Sequence, residues 1–121
     1  MYDKNNVFAK IIRKEIPSKI IYEDDEIMAF HDISGSAPVH VLVVPKGEYI
    51  SFDDFSVVAD AEFVGRFFAK VRNIANDLGV AKTGYRILAN HGADASQTVP
   101  HFHVHILGGT KLGGLVSGKS H

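Results

Sequence analysis

The chain contains no cysteine. Disulfides, thiolate catalysis and every Cys-based zinc site are therefore excluded, and metal ligands could only be His, Asp or Glu. An excess of either charge is missing too, because 13 basic and 14 acidic residues, interleaved along the chain, leave a formal net charge of -1. No broad field for nucleic acid or an anionic membrane follows from that balance, and neither is expected as a partner. Any anionic ligand must be caught locally. No apolar run approaches the ~18 residues of a membrane span, and Met1 to Asn6 lack the apolar centre of a signal peptide. A cytoplasmic location is the expectation.

A length of 121 residues suits one domain, 1–121, able to bury roughly two thirds of its unfolded surface. Asp3 or Asn5 can cap a short helix carrying Val7, Phe8, Ile11 and Ile12, ended at Ile16-Pro17. Lys19 to Glu23 and Glu26 to Asp32 read as hairpin strands around the turn Asp24-Asp25, and Ile33 to Pro38 as a loop. Val39 to Val44 is rich in β-branched residues and reads as a central strand closed by Pro45, with His40 on the face of Leu42 and Val44. From Asp60 to Leu78, Val64, Phe67, Phe68, Val71, Ile74, Ala75 and Leu78 recur at helical spacing, and Gly79 stops the pattern. Gly84 to Asn90 is a further strand, and His91 to Val99 a loop. Five strands able to pair as antiparallel neighbours, with one long and one short helix, predict an α+β fold.

The distinctive stretch is His101-Phe102-His103-Val104-His105. In a strand, alternate residues share a face and lie about 6.6 to 6.8 Å apart, so the three imidazoles form one row while Phe102, Val104 and Ile106 face a core. Histidine exchanges protons near neutrality, so the row suits acid, base and nucleophile work on a phosphate or acyl group. A metal site is the second reading, but the outer two histidines stand about 13 Å apart at their roots, so a single ion would use two of the three plus a ligand from elsewhere. The third is a solvated or structurally bonded polar face. His40 joins the row only if its strand is a neighbour.

Gly113 to Ser120 matches the phosphate-loop pattern G-x-x-x-x-G-K-[ST]. Such a loop works between a strand and a helix, and only His121 follows Ser120, so the match is read as chance in a glycine-rich tail, 108–121.

Three blocks in order, Val7 to Pro17, Ala29 to Ile33 and His40 to Lys46, precede the His-x-His-x-His motif. With them the chain resembles the histidine-triad (HIT) nucleotide-binding proteins, in the branch of purine nucleoside phosphoramidases, over nearly its whole length. The resemblance implies that His103 attacks the α-phosphorus of a purine nucleotide conjugate (of AMP or GMP) and is then freed by water, without metal or cofactor. It implies that His105 bonds the phosphate or leaving group and helps protonate it, and that His101 and His40 orient and tune the row. Asn90 with Gln97, Thr98 and Val99 would hold phosphate oxygens, Asp32 the ribose hydroxyls, and Phe8, Ile11, Phe30, His31 and Ile33 the base. It implies a homodimer with one continuous ten-stranded sheet. Ser96 replaces a glycine common before the Gln, Thr110 stands where arginine is frequent, and the tail differs from many relatives. A dinucleotide hydrolase or nucleotidyl transferase, and a nucleotide-binding regulator acting through a partner, are the alternative functions.

Overall fold

Alternation of apolar side chains along the strands gives the sheet two different faces, and the two faces carry different work. The computed structural model describes residues 1–114. Its strands are β1 (Ile20–Glu23), β2 (Ile27–His31), β3 (Val39–Pro45), β4 (Tyr85–Leu88) and β5 (Val104–Gly108). They form one antiparallel sheet in the order β1-β2-β3-β5-β4, so β3 and β5 are neighbours as the site requires.

Among the described residues, three α-helices accompany the sheet: α1 (Val7–Ile12), α2 (Phe52–Val58) and α3 (Ala61–Asp77). The long helix begins where Asp60 accepts from the Phe63 N–H and ends at Leu78, as its spacing predicts. The sequence pattern predicts one long and one short helix, so α2 is an addition to it. Its signal was present in Ser51 and Asp54, which form a capping box that satisfies backbone donors at both positions. Asn6, rather than Asp3 or Asn5, caps α1 by accepting from the Ala9 N–H.

On one face Val41, Val43, Val104 and Ile106 pack with Phe55, Phe63, Phe67, Val71 and Ile74 of α2 and α3. Phe55 stacks on Phe102 with ring centroids 4.5 Å apart, and each fully buried phenyl contributes about 1.5–3 kcal/mol. The other face carries a smaller cluster, Met28, Phe30, Leu42 and Val44, closed by Phe8 and Ile11 of α1. His40 and His105 belong to this second face by strand alternation.

The end of β5 is shaped by two glycines. A Cβ on Gly108 would stand 2.9 Å from Val80 Cγ1, and Gly109 has φ +84°. The phosphate-loop match runs into 115–121, outside the described residues.

Candidate active site

The imidazole row exists, but the ladder does not hold all of it. β5 starts at Val104, so only His105 lies in the sheet, opposite Leu42, while His101 and His103 precede the strand. The expectation of one extended strand carrying all three is corrected accordingly. A tight backbone bond from the His101 N–H to the Val99 carbonyl, 2.9 Å, turns the chain just before the row. Side-chain bonds then fix what the ladder does not.

His101 is fully buried, and its Nε2–H donates to the Pro45 carbonyl at 2.8 Å. Its Nδ1 therefore carries a lone pair, which accepts from the Tyr2 hydroxyl at 2.5 Å. Burial pushes His101 down to about 4 against the pull of the Pro45 bond, so this ring is neutral at pH 7. Nothing local in the sequence announces Tyr2, which reaches the row from the far end of the chain.

His103 donates through Nδ1 to the His101 carbonyl at 2.7 Å. That bond leaves Nε2 with the lone pair, the state a nucleophile needs. The edge of the Phe8 ring system packs against it, centroid to centroid 4.8 Å. Burial lowers the affinity of His103 for a proton, opposed by the His101 carbonyl and by the charge of Asp32.

His105 and His40 meet across β5 and β3, Nδ1 to Nε2, at 2.9 Å. Asp32 Oδ2 stands 3.2 Å from the same His40 nitrogen, while Asp32 Oδ1 accepts from the Ser34 N–H. Burial lowers His40, with Asp32 pulling the other way. His105 falls to about 4, through burial first and then through His103 and His40. The unbonded nitrogens of the pair, His40 Nδ1 and His105 Nε2, are buried and have no partner among the described residues.

Asp32, His40 and His105 also bring ligand atoms within 4.8 Å of one another, close enough to consider a cation. Metal-bound histidines donate their other ring N–H to an acceptor. Here both remaining nitrogens are buried with none, so a cation would strand two N–H donors. The set fits a hydrogen-bonded chain better than a metal.

Beside the row, Phe8, Ile11, Phe30, His31, Asp32 and Ile33 line one cavity of about 270 Å³. All the side chains expected around a base are thus in one place, with the carboxylate among them. Val7, Ile16, Pro17, Ser18 and Leu42 complete it, none of them expected around the base from the sequence. Ile33 is 99% exposed, so its contribution is a rim rather than a wall.

On the loop, Thr98 is exposed and Asn90 and Val99 are half-buried. The Gln97 carboxamide is fully engaged: Oε1 accepts from the Gly92 N–H, and Nε2 donates to the Ile50 and Val99 carbonyls. It braces the loop against the stretch after β3 at Ile50 and against its own end at Val99. Ser96, in the glycine position, has φ +61° and ψ +36°.

A model of the HIT domain family matches residues 13–112. An uncharacterised HIT-like protein of Rickettsia prowazekii is 52% identical over 97% of this chain and 98% of its own. The purine nucleoside phosphoramidase of Escherichia coli is 40% identical over 96% of this chain and 97% of its own. Among solved structures, a HIT family hydrolase from Clostridium thermocellum superposes with a TM-score of 0.84 at 41% identity, covering 92% of this chain and 96% of that one. With its sheet order, its imidazole row and these matches in agreement, the chain belongs to the HIT domain family.

Proposed function

We propose that this chain hydrolyses the phosphorus–nitrogen bond of purine nucleoside phosphoramidates, or related acyl-nucleotides, through a nucleotidylated His103. One observation carries the reading: the His101 carbonyl holds the His103 proton on Nδ1 and leaves Nε2 free to attack, beside an apolar cavity that ends at Asp32. The name of the Escherichia coli relative supports the substrate class.

In this mechanism the purine lies among Phe8, Ile11 and Phe30, and its ribose hydroxyls donate to Asp32. His103 Nε2 forms a bond to the α-phosphorus as the P–N bond breaks, and the amine departs with that electron pair. His105 hydrogen-bonds the phosphate or the departing nitrogen while negative charge builds. The leaving nitrogen takes up a proton through His105, whose own hydrogen is replaced from solvent. Water then cleaves the His103–phosphorus bond, releases the nucleoside monophosphate and returns that proton. Backbone groups of the loop braced by Gln97, with Asn90 and Thr98, hold the phosphate oxygens in this reading.

Two copies joined edge to edge would make the continuous ten-stranded sheet. Support comes from β4, an edge strand whose Ile87 is 46% exposed, next to a hollow lined by Phe52, Phe68 and Leu88.

Steady-state rates on adenosine and guanosine phosphoramidates, with and without chelator, test the activity. His103→Ala should lower turnover at least about a thousandfold while AMP still binds. Unchanged turnover in that variant would refute the nucleophile, and binding without turnover in the intact protein would favour a regulator.

A further inference from the structure

The pair His40–His105 can hold its two protons in two ways. In the first, His40 carries hydrogen on Nε2 and donates to His105 Nδ1, so His105 carries its own hydrogen on Nε2. In the second, His105 donates from Nδ1, His40 Nε2 is a lone pair, and His40 Nδ1 takes the hydrogen. Each arrangement leaves one buried donor and one buried acceptor without partners, His40 Nδ1 and His105 Nε2 exchanging those parts. Internal hydrogen bonding therefore does not choose between them.

Asp32 does. Its Oδ2 stands 3.2 Å from His40 Nε2, held there by the Oδ1 bond to the Ser34 N–H. In the second arrangement a carboxylate would lie 3.2 Å from a lone pair; in the first it lies beside a nitrogen that carries hydrogen, directed at His105 Nδ1. His40 is buried, which keeps water from screening the difference. We infer that Asp32 is a positioning residue for the histidine pair: before substrate arrives it holds hydrogen on His40 Nε2, and through it on His105 Nε2. His105 then offers an N–H from its unbonded nitrogen, the correct state for an oxygen or nitrogen bearing negative charge. The use of that N–H in turnover rests on the reading of the site given above, but the proton placement does not.

Imidazole nitrogen chemical shifts and two-bond nitrogen–hydrogen correlations of the ¹⁵N-histidine-labelled, full-length protein at pH 7 read both tautomers directly. The expected result is His40 and His105 both Nε2–H, in at least about tenfold excess over the Nδ1–H forms. Asp32→Asn and Asp32→Ala should each cut that excess severalfold. His105 found as Nδ1–H in the wild type overturns the inference, whether or not either variant folds. So does an unchanged tautomer ratio in a folded variant. Kinetics of the same variants add a second readout: loss of ribose contact alone raises KM, whereas misplacement of the proton also lowers kcat, most for the poorest leaving groups. A protein without phosphoramidase activity but with the expected tautomers would refute the activity and leave this inference standing.

Discussion

The His103 imidazole donates through Nδ1 to the carbonyl of His101, two residues earlier in the chain, at 2.7 Å. The row thus orients its own central ring by its own backbone. That carbonyl keeps its place because the His101 side chain is tied at both ends, to Pro45 and Tyr2.

Stability should fall as pH is lowered from about 6.5 towards 4. His101 and His105 have native values near 4, below the ordinary 6.5, so in that window the unfolded chain binds more protons than the folded one. The contribution of both neutral rings is complete above about 6.5 and is lost progressively through the window. Denaturant melts at several pH values check this; a midpoint that stays level or rises on acidification refutes it.

Tyr2→Phe should cost about 1 kcal/mol, because it leaves the buried His101 Nδ1 lone pair without a donor while keeping most of the packing. Chemical denaturation of the two proteins measures the difference. A stability equal to the wild type would mean that the N-terminal hydroxyl does not anchor the row.

Ser96→Gly should stabilise the fold by about 0.5–1 kcal/mol. The left-handed backbone at φ +61° costs an L-residue about 1–2 kcal/mol, offset in part by the extra freedom glycine has when unfolded. Thermal melts should show a rise of a few degrees. Ser96→Val, with branching at Cβ, should move the midpoint in the opposite direction.

Ile87→Arg should leave the monomer folded, since the side chain is nearly half exposed on an edge strand, and should abolish pairing of two copies through β4. Sedimentation velocity distinguishes the outcomes. A dimer that persists in the variant places the contact elsewhere, with the exposed side of α3 the next surface to alter.

Much of this architecture was legible in advance where one local pattern spans a whole element. The apolar spacing from Val64 to Leu78, bounded by Asp60 and Gly79, marks α3 within one residue at each end, and the β-branched run Val39 to Val44 marks β3 up to Pro45. Helix α2 was missed because its apolar content is thin and its signal is one capping pair, Ser51 with Asp54. β5 proved shorter than its alternation suggested: strict period two persists through His101 and His103, but ladder bonds to β3 begin only at Val104. Period two reports which way side chains face, not whether a neighbour bonds to the backbone.

The site divides along the same line. Sequence by itself determined which residue types are available: a cysteine-free chain with alternate imidazoles backed by Phe102, Val104 and Ile106, enough to put the rings on one face. For His101, His40 and His105, tertiary structure decided the proton states. Each of those tautomers depends on which group sits opposite a given nitrogen, and those groups come from distant stretches: the accepting Pro45 carbonyl and the donating Tyr2 hydroxyl for His101, and Asp32 for His40 and through it His105. Hydrogen bonds act over about 3 Å, so only a folded chain can make the choice.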